Sequence, residues 1–197
     1  MFRFASHHSA PRGILLAALL VLLACQMAAV PLSRPAAPVL DGAIAVAGPR
    51  GYCVDPAMTR EQGDTAVILM GRCKYALAVE PALLTMSVGP TASAGVLAGG
   101  GPALTAFFTS RDGRAALSRF GNAGDVTVIQ ALTAGEAYLL HLNDKAVGNY
   151  WRAVVGLNGR LVTISANGAQ EDRSASLTPA AGRALLDATL AALRRAN

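Results

Sequence analysis

Few side chains in this 197-residue chain could do chemistry. His7 and His8 stand in the first ten residues, so His141 is the one imidazole left for the rest of the chain. A Ser–His–Asp or Cys–His arrangement would have to use it. It lies among Leu139, Leu140 and Leu142, a pattern that reads as a core or edge histidine of a strand rather than as a catalytic base. A dedicated zinc site wants three or four nitrogen and sulfur ligands, and His141 with Asp144 falls short of that. Carboxylates such as Asp55 and Asp64 sit mostly in turns and loops, where they cap and solvate. A glycosidase pair needs only spatial proximity, but no spacing here points to one. The phosphate-cradling loop and the dinucleotide fingerprint, Gly-x-x-x-x-Gly-Lys-Ser/Thr and Gly-x-Gly-x-x-Gly, are both missing. No catalytic, cofactor-binding or metal-binding residue is therefore assigned, and no cofactor is expected.

The cysteines carry a stronger signal. Cys25, Cys53 and Cys73 are the complete set. Cys25 lies within an apolar run at residues 13–30, interrupted by one strongly polar side chain, Gln26. Arg3 and Arg12 precede the run, and no acidic residue occurs before Asp41. A cationic start followed by an apolar helix-forming run is an export signal. Three endings are open. Leu22-Leu23-Ala24-Cys25 matches the bacterial lipobox at minus three and minus one and departs from it at Leu23. Ordinary cleavage could follow the small residues near Met27-Ala28-Ala29. Retention is also open, because a spanning helix needs about 20 apolar residues and the run is just long enough. Cys25 is the candidate lipid anchor.

Export then decides how Cys53 and Cys73 are read. An even pair in an oxidising compartment is best read as a disulfide; the alternative is two buried thiols. The separation of twenty residues is not the Cys-x-x-Cys arrangement of a redox centre. Bridging needs the two Cα atoms within about 7 Å. That would set the start of the folded part beside the end of the apolar strand before Cys73.

The elements that must position these residues follow from pattern. Residues 1–30 read as a signal peptide or membrane anchor, 31–48 as a Pro/Ala-rich tether, and 49–197 as one α+β domain. Strands are expected at 43–47, 65–72, 82–88, 125–132 and 136–142. Residues 59–64 read as a loop or one helical turn, and 89–101 as a Gly-rich loop. Pro102 opens a helix with Leu104, Phe107 and Phe108 at i, i+3, i+4 spacing. Ser110 or Asp112 caps a second short helix that runs through Leu117, with Gly121 placed to end it.

Asn158-Gly159 suits both central positions of a type I′ turn. A two-residue loop there pairs Leu157 with Arg160, Val155 with Val162, Ala153 with Ile164 and Trp151 with Ala166. That face belongs to the core, while Arg152, Thr163 and Ser165 lie on the other. Thr178-Pro179 starts the last helix, with an apolar stripe through Leu186, Leu190 and Leu193. The expected fold is an antiparallel sheet of roughly six to eight strands packed against two main helices.

The formal net charge is +5, and fifteen of the seventeen basic residues are arginine, mostly scattered singly. Without a basic stripe interleaved with aromatics, nucleic acid is not an expected partner. No second long apolar run exists, which excludes a polytopic transporter.

Gly51-Tyr52-Cys53-Val54-Asp55-Pro56, the strand ending at Cys73, Tyr150-Trp151-Arg152-Ala153-Val154 and Asn158-Gly159-Arg160-Leu161-Val162-Thr163 together carry a resemblance. From about Pro49 to the C-terminus the chain resembles a group of small exported, lipoprotein-like proteins of high-GC Gram-negative bacteria. Some members carry the label cation-transport ATPase. A P-type pump needs a phosphorylated Asp within Asp-Lys-Thr-Gly, whereas here Asp144-Lys145 is followed by Ala146-Val147, so the label does not transfer. The strand and helix order is also similar to that of PsbP-like accessory domains, which speaks to fold alone.

The expected function is an exported, membrane-tethered, non-catalytic module of the cell envelope, on the periplasmic side. It would bind or support another envelope component, with an envelope protein as partner. The alternative is an envelope hydrolase using loop carboxylates. Convergence of Asp55, Asp64, Arg72 and His141 in one cleft would favour the hydrolase, and an exposed apolar patch would favour binding.

Overall fold

The computed structural model describes residues 34–168 and 177–197. Cys25 and the apolar run around it lie outside the described residues. No helix among the described residues is long and apolar enough to cross a membrane.

The fold is α+β. A seven-stranded antiparallel sheet runs in the order β3-β4-β5-β9-β8-β7-β6, beside a two-stranded sheet of β1 and β2. The strands are β1 (Ala36–Val39), β2 (Ile44–Ala47), β3 (Tyr52–Gln62), β4 (Thr65–Arg72), β5 (Ala82–Val88), β6 (Val126–Ala134), β7 (Ala137–Asp144), β8 (Gly148–Leu157) and β9 (Arg160–Gly168). The helices are α1 (Gly100–Thr109), α2 (Arg111–Leu117) and α3 (Pro179–Ala196).

Alternation along the strands sends Ile68, Met70, Leu84, Met86, Leu139, Ala153 and Ile164 to one face. There they meet Leu186, Leu190 and Leu193 of α3. A fully buried side chain of this size contributes about 1.5–3 kcal/mol, so α3 is held by its stripe rather than by helix propensity. Its N-cap is Thr178, whose hydroxyl accepts from Ala181 N, and Pro179 occupies the first turn. At the other end the Asn197 amide bonds the Ala45 backbone on both sides, at 2.9 and 2.8 Å, pinning α3 to β2.

The β8–β9 hairpin has the register expected from its turn, with Leu157 opposite Arg160 and Trp151 opposite Ala166. Asn158 and Gly159 take φ of 48° and 75°, the left-handed values that a type I′ turn demands.

Two stretches depart from expectation. Part of the stretch read as a tether is folded: β1 and β2 pair, and Val39, Ile44 and Val46 are buried in the main core. Three prolines among alanines hide β1 from a composition-based reading, while β2 falls on the strand expected at 43–47. Residues 59–62 belong to β3 rather than to a loop. The strand is broken in the middle, where the register slips between Asp55 and Arg60. Asp55 Oδ1 accepts from Ala57 N and Met58 N there, and the register shift forms a bulge within the strand.

Candidate functional site

The site begins with a topological problem. β5 lies in the middle of the sheet and β6 at its far edge. The link between them, residues 89–125, has to cross the face of β9, β8 and β7 opposite α3. It does so as a 3₁₀ segment, Ser93–Gly99, followed by α1 and α2. A ten-residue helix is about 15 Å long, while seven strands span roughly 29 Å. The crossing segment therefore covers only part of this face, and Val67 and Leu83 on β4 and β5 stay exposed.

Under the crossing lies a second core of Leu117, Val126, Tyr138, Leu140, Leu142, Tyr150 and Val154. Phe108 stacks on Tyr138 at 5.9 Å between ring centroids, and Thr105 Oγ1 and the Tyr138 hydroxyl lie 2.7 Å apart. The α1–α2 corner is tight. Ser110 caps α2 by accepting from Gly113 N. A Cβ on Gly113 would stand 1.9 Å from the Phe107 carbonyl oxygen, so only glycine lets α2 fold back onto α1.

Between this corner and the sheet lies an open cavity of about 610 Å³. Its walls are Leu104, Phe107 and Phe108 of α1 with Ala116 and Leu117 of α2. Its floor is Val154, Leu161 and Thr163, and Val96 stands at its rim, 63% exposed. Arg152 is the one charged residue among the described residues of the lining.

Strand alternation puts Arg152 there, since Tyr150, Arg152 and Val154 share a face of β8. Its Nε donates to Ser165 Oγ on β9 at 3.0 Å, and its guanidinium lies 5.6 Å from the centroid of the Tyr150 ring. It forms no ion pair with any described carboxylate. Burial pushes the Tyr150 phenol above its ordinary value; the nearby Arg152 charge pulls it back and Asp144 pushes it further up.

The four polar residues considered for a cleft do not converge. Asp55 is on the edge strand β3 and His141 on β7, five strand spacings or roughly 24 Å away. Asp64, in the β3–β4 turn, and Arg72 lie at opposite ends of β4, roughly 26 Å apart.

Asp64 has structural partners. It accepts from Thr91 N at 2.8 Å and pairs with the buried Arg160. The Thr91 amide first, then Arg160 and the Thr91 hydroxyl, hold its pKa down at about 2. Arg160 also donates to the carbonyls of Asp64 and Gly89, both at 3.0 Å, and to Thr91 Oγ1 at 2.8 Å. The cluster ties the tip of the β8–β9 hairpin to the β3–β4 turn.

His141 lies on the α3 side of the sheet, stacked on Trp151 at 4.7 Å between centroids. Desolvation lowers its pKa. Its Nε2 is buried and meets no hydrogen-bond partner among the described residues. Trp151 in turn donates to the Pro179 carbonyl at 2.8 Å and lies under the Arg183 guanidinium.

Cys53 and Cys73 form a disulfide with the Cα atoms 5.1 Å apart. Cys53 pairs with Gly71 across β3 and β4, and Cys73 N donates to Gly51 O at 2.8 Å, which sets the start of β3 beside the end of β4. Among the described residues no three His, Cys, Asp or Glu side chains gather where a metal ion could sit.

No protein-family profile, no curated protein and no solved structure matches the chain.

The groove was half-visible in sequence. The spacing of Leu104, Phe107 and Phe108 marks the wall, and the hairpin pairing puts Arg152, Thr163 and Ser165 on the non-core face. The signal for the site is a single arginine between the buried Tyr150 and Val154 on one face of β8.

Proposed function

We propose that this chain is an exported, non-catalytic module of the bacterial cell envelope and a member of the lipoprotein-like group it resembles. On this reading its N-terminal segment holds it at a membrane on the periplasmic side, with Cys25 as the lipid anchor. It binds another envelope component, and the groove beneath α1 and α2 is where it does so. One observation carries the assignment: an open cavity of about 610 Å³ has a mainly apolar lining and, among the described residues, a single charged side chain. Small-molecule and anchor sites have volumes of about 300–1,000 Å³ and this kind of lining, with a few polar groups to orient the occupant. The wide separation of Asp55, Asp64, Arg72 and His141 supports the binding reading over a hydrolase.

Site-directed photocrosslinking tests it. Benzoylphenylalanine in place of Phe107, on the groove wall, should form adducts in intact cells. The same residue in place of Arg194, on the exposed side of α3, should form none. Absence of adducts from position 107 would refute the groove as the binding site.

A further inference from the structure

We infer that the groove is built for the carboxylate of a long-chain fatty acid, with the acyl chain along the apolar floor and the head group on Arg152. The inference rests on the groove being the binding site and adds the chemistry of its occupant.

Three observations point the same way. The walls and most of the floor offer no hydrogen-bond partner: Leu104, Phe107, Phe108, Leu117, Val154 and Leu161 present aliphatic and aromatic carbon. An occupant must therefore be apolar over most of its length. Next, the single charge among the described residues of the lining is a cation. A lone guanidinium calls for a monoanion; a phosphomonoester would want a second cation. Finally, the fork of Arg152 is oriented and half used. Ser165 takes Nε and the guanidinium lies over the Tyr150 ring, while neither terminal nitrogen donates to any described residue. Two parallel N–H groups held in one plane match the two oxygens of a carboxylate. Arg152 is half-buried, and a bound carboxylate would give its terminal N–H groups a charge-assisted acceptor. Thr163, which carries a hydroxyl, lines the same cavity.

The alcohol of the same chain length separates head group from tail. It keeps the acyl burial and loses the charge-assisted pair, so it should bind about tenfold to a hundredfold more weakly than the acid. The experiment is displacement of a fluorescent fatty-acid probe, with the full chain as the cell processes it, purified and stripped of lipid. Palmitate should displace the probe saturably at one site per chain, and hexadecanol should need about tenfold or more concentration. Arg152→Gln should bring palmitate to the hexadecanol level and leave hexadecanol unchanged. Arg152→Lys should keep a preference for the acid. Ala116→Trp, at an exposed position of α2, should fill the groove and abolish both.

Equal binding of the acid and the alcohol by the wild-type protein would overturn the inference without any variant having to fold. So would a lack of saturable palmitate binding, or tighter binding to vesicles of anionic phospholipid than to the free acid. If palmitate fails while Phe107 still crosslinks in cells, the fatty acid is wrong and the groove stands. If both fail, the groove itself is wrong.

Discussion

Reducing the Cys53–Cys73 bond should lower stability by about 3 kcal/mol, mostly through the unfolded chain. The two residues are twenty apart in sequence, and their Cα atoms are 5.1 Å apart in the fold. Chain entropy for a closed loop of that length gives about 3 kcal/mol, within the usual range of 2–5 for small secreted domains. The native state should change little on reduction. Tyr52 still pairs with Arg72, Cys53 with Gly71, and Cys73 N still donates to Gly51 O. For a domain of this size, 1 kcal/mol moves the melting temperature by about 2–4 °C. Reduced protein, or Cys53→Ala with Cys73→Ala, should thus melt about 6–12 °C lower. Circular dichroism melts with and without reductant measure the shift. Hydrogen exchange locates it: because β3 is an edge strand, the amides of residues 52–54 should lose protection before those of β8 and β9. Coincident melts for oxidised and reduced protein would refute the reasoning, as would two free thiols found by alkylation of protein isolated without reductant.

Arg160→Met should cost about 1–3 kcal/mol or more, since it strips partners from the Asp64 and Gly89 carbonyls; urea unfolding measures it. Asp64 has its folded-state pKa depressed to about 2 from an ordinary 3.8, so its contribution is present above pH 3.8 and lost as pH falls towards 2. Asp64→Asn should flatten that part of the stability profile. His141 is also depressed, from 6.5, but for a base this means that the unfolded chain takes the proton first. Stability should therefore fall as pH drops below about 6.5 and level off below the folded-state pKa. His141→Gln should remove that slope, and identical slopes for the two proteins would contradict the burial argument. Any activity later found should survive His141→Gln largely intact. Metabolic labelling with a palmitate analogue should mark the wild type and not Cys25→Ser; equal labelling of both would remove Cys25 as the anchor.

Local rules made much of this protein legible from its sequence. Asn158-Gly159 dictates one turn type, the turn dictates a register, and the register decides which residues of β8 and β9 face the core. Thr178-Pro179 and the leucine spacing specify α3 in the same way, because capping and a 3.6-residue period are properties of a single segment. The disulfide followed from cysteine count and an inferred compartment. Local rules marked the strand at 43–47 but not β1 or the burial of the pair, which comes from partners far away in sequence such as Asn197. Nor did they settle the strand order, which puts β9 next to β5 and leaves β6 at the edge. That order sends the link between β5 and β6 over one face, and the link is too short to cover it. The groove lies under that link, between the α1–α2 corner and the sheet. Its arginine stands in the sequence as one more scattered cation. Only the packing of α1 and α2 beside β6, and of the 3₁₀ segment over β8 and β9, makes Arg152 the sole charge among the described residues of an apolar cavity, since a cavity is a property of surfaces brought together rather than of any one segment.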